Sequence, residues 1–253
     1  MKKFYSFKDI KKNLRKSDTV IVKFLILPVA SRIAYMFINY TNIRPATISL
    51  IGLILGFLSA YFFYHQEIYI AIFLYFTAIT FDFVDGLVAR VKNIESVIGI
   101  VFDTYFDFII LLVNIFALIL INNHNTIIVS LLLSYLLIHF IESWIDFGIF
   151  SIFKFYNKQK IIKLNSLDIF FYNLKKYLER YNLRTIFFYY QERYFCIFII
   201  SPLLSFNINF MLFIIIMTVF MINLKVLFDI SMIKISFKKK VNHSFKFRKE
   251  INK

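Results

Sequence analysis

Long, almost uncharged runs separated by short polar links dominate the chain, and their lengths are those of helices that cross a bilayer. The run ATISLIGLILGFLSAYFFY (46–64) carries no charge and approaches the roughly 20 residues that span the hydrocarbon core. Runs over 69–90, 97–121 and 127–150 follow, joined by the connection around His65 to Ile68, by VKNIES and by NNHNT. Uncharged sequence then extends from Tyr194 to Leu224, too long for one standard helix. SFNIN at 205–209 predicts a turn, so a fifth span ends near 204 and a sixth covers about 210 to 228. The segment 19–41 has Lys23, Pro28 and Arg32 set into its apolar sequence. It reads as a helix lying along the membrane interface, with a seventh, poor span as the alternative. The predicted fold is all-α: a polytopic membrane protein with six transmembrane helices preceded by an interfacial N-terminal helix. One membrane domain (19–228) is expected between a basic arm (1–18) and a basic tail (229–253).

Composition agrees with the pattern. The 253 residues are 60% hydrophobic and 18% charged, which excludes an ordinary soluble domain. The formal charge of +15 would suit either a nucleic acid or an anionic membrane face. Its distribution decides, because the cations gather at the N-terminus, between 151 and 184, and in the tail, each flanking an apolar run. No nucleic-acid partner is expected. Charge bias places both termini and the 151–184 segment in the cytoplasm and the weakly charged turns outside, in a bacterial or archaeal cytoplasmic membrane. The polar start and the interruption by Pro28 and Arg32 argue against a cleaved signal peptide. A single cysteine, Cys196, excludes an internal disulfide, and the four histidines show no zinc-ligand spacing.

The chemistry is concentrated in FDFVDGLVARVKNIESVIGIVFDTYFDFI (81–109), which carries four aspartates into apolar sequence. On helices, Asp82, Asp85, Gly86 and Ala89 share one stripe of the second span, and Gly99, Asp103 and Asp107 share one stripe of the third. A short link lets the stripes face each other. Carboxylates at such depth need partners, and a hard oxygen set suits Mg²⁺ or Mn²⁺, with room for two ions that bridge a diphosphate. Gly86, Ala89 and Gly99 remove bulk, either for helix packing or for a flat ligand such as a nucleobase. Arg90 is a topology anchor or a bidentate phosphate ligand.

Written out, the segment is D82-x2-D85-G86-x2-A89-R90-x8-G99-x3-D103-x3-D107, and it resembles the full signature of the CDP-alcohol phosphatidyltransferase family at all eight positions. The resemblance implies an interfacial helix followed by six spans, a homodimer, and an active site open to the cytoplasm. It implies that Asp82, Asp85 and Asp103, together with Asp107, bind two divalent ions, and that Asp107 is the general base. It associates Gly86, Ala89, Arg90 and Gly99 with the cytidine diphosphate moiety. NIRPATIS resembles the element opening the first span, with Pro45 in place and Ser49 at the position where the family has threonine. The implied partners are a CDP-alcohol donor such as CDP-diacylglycerol, an acceptor hydroxyl, and membrane lipids. The implied reaction releases CMP.

The acceptor is the open element. A phosphorylated polyol, such as inositol phosphate or glycerol phosphate, needs extra cations, for which Arg32, Arg184 and Arg193 are candidates; Arg32 as a membrane-surface anchor is the alternative. Serine, choline or ethanolamine would need none. His139, Glu142 and Asp146 stack on one face of the fourth span, where they line the acceptor site or form structural ion pairs with arginines of the fifth. A transporter and a non-catalytic membrane scaffold are the rival classes. The absence of internal repeats opposes the first, and the complete signature opposes the second.

Overall fold

The computed structural model describes residues 4–15, 18–156, 165–181 and 190–251. Its elements are helices: α1 (Phe7–Lys12), a π-helical stretch (Val22–Ile26) running into α2 (Leu27–Tyr40), α3 (Pro45–Tyr64), α4 (Ile68–Lys92), α5 (Val97–Ile121), α6 (Thr126–Tyr156), α7 (Ser166–Arg180), α8 (Tyr190–Phe195), a second π-helical stretch (Cys196–Ile200) with α9 (Ser201–Leu203), and α10 (Ile208–Ile251). Both π-helical stretches end just before a proline, Pro28 or Pro202. Proline has no N–H and its ring crowds the carbonyl one turn back, so a widened turn ahead of it keeps the helix continuous.

Among the described residues, five helices are long and apolar enough to cross a membrane: Val22–Tyr40, Pro45–Tyr64, Ile68–Lys92, Val101–Ile121 and Ile208–Ile235. The protein is polytopic, yet the set differs from the expected six. Val22–Tyr40 has the length and composition of a span, because the apolar residues around Lys23 and Arg32 outweigh those two charges. The fourth expected span, 127–150, falls within α6 (Thr126–Tyr156), whose described apolar part is Thr126–Glu142. The fifth falls in the helical run described over 190–203, while the sixth continues as one 44-residue helix through the boundary expected at 228.

Helix α3 is the centre of the N-terminal half, packing along both α4 and α5, which hardly touch each other directly. Close approach to α5 depends on Gly56: a Cβ built there would stand 2.6 Å from Ile110 Cγ1. A buried amide locks the same contact, since Asn114 Nδ2 donates to the carbonyls of Gly56 (3.1 Å) and Ile110 (2.8 Å), and its Oδ1 accepts from the Ser59 hydroxyl (2.9 Å). In an apolar surrounding, polar groups are tolerated when satisfied in this way. Large apolar side chains such as Phe57, Tyr61, Phe73, Phe102, Phe116 and Ile216 stay exposed, forming the outer surface that a bilayer covers.

The N-terminal arm is folded onto the bundle. Ser6 and Asp9 form a capping box that starts α1, and Ile10 is fully buried in a cluster with Ala30, Ala34, Val84, Leu87 and Val88. Asn39 clasps the backbone of Tyr5 twice, accepting from its N–H (2.9 Å) and donating to its carbonyl (3.0 Å). On the other side, Lys23 Nζ donates to the Tyr181 carbonyl (2.6 Å), tying the start of the first long helix to the end of α7.

Candidate active site

The aspartates stand on α4 and α5 close to the linker that joins them, because that linker is compact. Asn93 adopts a left-handed conformation (φ 54°) that ends α4, and the N–H of Ile94 returns to the Ala89 carbonyl at 3.0 Å. Three residues later Ser96 caps α5, its hydroxyl accepting from the Gly99 N–H at 3.0 Å. A Cβ at Gly99 would stand 3.1 Å from that hydroxyl, so this glycine serves the cap itself.

Asp85 is buried at 3% exposure, Asp82 and Asp103 are half-buried, and Asp107 is reachable by solvent. Asp82, Asp85 and Asp103 all act electrostatically on Asp107, so the two stripes do share one region. Ser49, one turn into α3, has its hydroxyl donated to the Pro45 carbonyl (3.1 Å) and lies beside the carboxyls of Asp85 and Asp103. The head of α3, with Pro45 at its first turn, thus stands between the two aspartate helices. Among the described residues, however, no three His, Cys, Asp or Glu side chains are gathered closely enough to hold one ion. The expected convergence is an electrostatic neighbourhood, with the gap between α4 and α5 keeping the carboxylates apart.

The donor set nevertheless suits a divalent cation. Asp85 Oδ2 is buried without a hydrogen-bond partner among the described residues, an arrangement that is costly for a carboxylate unless a cation compensates it. The ligands available are all oxygens, as Mg²⁺ and Mn²⁺ prefer.

Arg90 curls back along its helix. A Cβ at Gly86 would stand 3.3 Å from Arg90 Nη1, and Arg90 Nε donates to the Asn13 carbonyl at 3.0 Å. Gly86 therefore leaves room for the guanidinium. Ala89 is half-buried on the same turn, its carbonyl engaged in the cap of α4. The sequence pattern did not single out Arg15. Its guanidinium stacks 5.4 Å from the Phe83 ring centroid and acts on Asp82, Asp103 and Asp107. An arginine within a basic N-terminal run looks like a topology signal, and only the folding of the arm onto α4 distinguishes it.

The remaining candidates divide. His139, Glu142 and Arg193 come together in a buried cluster between α6, α8 and α10. Arg193 Nη2 stands 2.6 Å from Glu142 Oε2, and Lys225 Nζ 3.5 Å from Glu142 Oε1. The Tyr194 hydroxyl lies 3.4 Å from His139 Nε2. Arg32 is elsewhere, exposed on α2, lining a cavity of about 560 Å³ with Lys11, Lys12, Arg15 and Lys23. Arg184 lies outside the described residues.

A comparison with curated proteins found no match. A family model described as CDP-alcohol phosphatidyltransferase matches residues 42–167, a stretch that contains α3, the aspartate-bearing α4 and α5, and the cap between them. The chain belongs to the CDP-alcohol phosphatidyltransferase family.

Proposed function

We propose that the protein transfers a phosphatidyl-type group from a CDP-linked donor, CDP-diacylglycerol or a similar molecule, to an acceptor hydroxyl, releasing CMP at a cytoplasm-facing site. Family membership carries the reaction class: a CDP-alcohol donor and a hydroxyl acceptor. The observation that carries the site is the buried, unpartnered Asp85 Oδ2 in a neighbourhood shared with Asp82, Asp103 and Asp107. Asp82, Asp85 and Asp103, with Asp107, would hold two Mg²⁺ or Mn²⁺ ions, which when bound neutralise charge on the donor diphosphate.

The protein's own groups then have distinct tasks. Asp85, the least exposed of the four aspartates, gives the donor side a fixed anionic wall. Gly86 and Ala89 keep side-chain bulk away from the face where the cytidine diphosphate approaches, and Arg90, held by Asn13, presents a guanidinium beside them. Asp107, which solvent reaches, accepts the proton of the acceptor hydroxyl. The alcohol oxygen forms a bond to the β-phosphorus, the bond from that phosphorus to the CMP oxygen breaks, and CMP leaves with the electron pair.

For the acceptor we favour a phosphorylated polyol, supported by the exposed cation Arg32 on the cavity that Arg15 also lines; unphosphorylated serine, choline or ethanolamine is the second reading. The test is CMP release from CDP-diacylglycerol by the purified full-length protein with Mg²⁺ or Mn²⁺ and a panel of alcohols. No CMP above the metal-free control with any alcohol would reject the proposal.

A further inference from the structure

Helix α7 (Ser166–Arg180) has two apolar stripes and packs with one of them. Phe171 and Leu178 are buried, and the Phe171 ring lies 5.9 Å from that of Phe228 on α10. At about 3.6 residues per turn, Leu167, Phe170, Leu174, Tyr177 and Tyr181 fall within one arc of about 80° beside that packed face. Leu174 is half-buried, and the other four are 55% to 60% exposed. Lys176 and Arg180, both exposed, follow on the far side of this second stripe. Of the acids on α7, Asp168 is paired with Lys234 (3.6 Å) and Glu179 with Lys175 (3.8 Å), which leaves the charges of Lys176 and Arg180 uncompensated on the helix. Both ends of α7 are fastened. Asp168 accepts from the Ser231 hydroxyl beside its pairing with Lys234, and the Tyr181 carbonyl accepts from Lys23 Nζ at 2.6 Å. Ser231 and Lys234 close the long apolar stretch Ile208–Ile235, and Lys23 opens Val22–Tyr40. The stripe is thus held where the apolar surfaces of two long helices give way to charge, and Phe24 and Leu227, beside the attachment points, are exposed as well. We propose that α7 is a lipid-docking helix, whose exposed stripe sinks into the headgroup region of an anionic bilayer while Lys176 and Arg180 engage the lipid phosphates.

An apolar stripe bordered by cations is the arrangement by which a helix lies in a membrane interface, its apolar side in the acyl boundary and its charges among anionic headgroups. Tyrosine suits that depth, because its ring is apolar and its hydroxyl reaches water; here the Tyr177 and Tyr181 rings meet edge-on at 5.3 Å. Arginine offers a phosphate a fork and lysine a point charge. A second copy of the chain fits the stripe less well, since a symmetric contact through it would bring Lys176 and Arg180 of each copy toward those of the other. The attachments to α10 and Lys23 fix the facing of α7 beforehand, so docking orders little that is not ordered already. The proposal stands independently of the transferase reading.

The test reads lipid contact by fluorescence. The one tryptophan of the chain, Trp144, is replaced in Trp144→Phe, and a single tryptophan is introduced on the stripe (Phe170→Trp) or outside it (Ile169→Trp) in the full-length protein. Each is placed in nanodiscs of phosphatidylcholine brominated on its acyl chains, with or without phosphatidylglycerol. With phosphatidylglycerol present, quenching is expected to be at least about twofold stronger for Phe170→Trp than for Ile169→Trp. Raising the salt to about 1 M, where screening acts within about 3 Å, or adding Lys176→Gln with Arg180→Gln, should remove about half or more of that difference without changing the melting temperature. Tyr177→Trp gives the same reading at a second point of the stripe should Phe170→Trp lower the melting temperature. Equal quenching on and off the stripe would overturn the proposal, and so would quenching on the stripe that is the same with and without phosphatidylglycerol. A stripe tryptophan that escapes quenching and whose emission shifts to the blue as protein per nanodisc increases would also overturn it, assigning the stripe to a second copy of the chain.

Discussion

Glu142 and Arg193 form an ion pair of 2.6 Å in which each side chain is only 2% exposed, and Lys225 approaches the other carboxylate oxygen at 3.5 Å. Two cations on one buried acid make the cluster a clasp joining α6, α8 and α10. Removing the shared acid takes a buried counter-charge from two cations, and breaking a buried pair typically costs about 3–5 kcal/mol. Glu142→Ala should therefore lower the melting temperature sharply, and Arg193→Ala, which leaves Glu142 with Lys225, should lower it less. The double variant should lose less than the sum of the two, which a double-mutant cycle in detergent would measure.

Replacing Asp82, Asp85 or Asp103 by alanine is expected to cut turnover by orders of magnitude, because in the proposed function both donor positioning and charge stabilisation depend on them. Asp107→Asn should keep CDP-donor affinity while reducing transfer by about two or more orders of magnitude. Equal loss of donor affinity in Asp107→Asn and Asp85→Asn would show that the roles are not divided between them.

At Gly56 the expected cost is steric. Adding a Cβ against Ile110 at 2.6 Å should destabilise by about 1–3 kcal/mol in Gly56→Ala. Shortening the opposing side chain with Ile110→Ala in the same protein should recover part of that loss, read as a melting temperature above that of Gly56→Ala alone.

Asp168, at the start of α7, lies outside the spans. Burial alone would raise its carboxyl, but the Ser231 hydroxyl, the Asn165 N–H and Lys234 outweigh burial and hold it below the ordinary carboxylate range. A depressed carboxylate contributes stability that is present above its unfolded pKa, near 4, and is lost as the pH falls through the lower folded value. Hydrogen exchange of the α7 amides should thus accelerate at pH 3 relative to pH 7, beyond the intrinsic effect of pH. Asp168→Asn should show the loosened state already at pH 7.

Topology is checked by cysteine labelling in intact cells, on a Cys196→Ser background. Cysteines at 176 and 240 should resist an impermeant reagent until the membrane is opened, since the basic segments that contain them are expected in the cytoplasm. Labelling from outside would overturn that orientation.

The helical class and the placing of the four aspartates on two consecutive helices were legible in the sequence because both are periodic signals: apolar runs of membrane length and carboxylates spaced by three and four. The pairing of Glu142 with Arg193 was visible only as one of two alternatives, since spacing puts Glu142 on a face without saying what covers it. Val22–Tyr40 was harder, because Lys23 and Arg32 disfavour insertion while the apolar residues around them favour it. The position of Arg15 beside the aspartates was not legible at all. It arises from a tertiary event, the docking of α1 through Ile10 and of Tyr5 through Asn39, which brings a sequence-distant cation beside Asp82.

Because α4 and α5 both pack on α3 and hardly on each other, the spacing between them is set by what α3 puts in the way. Ile110, which packs on Gly56, lies one turn beyond Asp107, so bulk added at Gly56 would push on the helix that carries the proposed base. The separation of the two aspartate helices is thereby set in part by a small residue in α3, Gly56, outside the proposed site. Variants there should show slower transfer at saturating substrate alongside their lowered melting temperature, although no changed residue belongs to the proposed site.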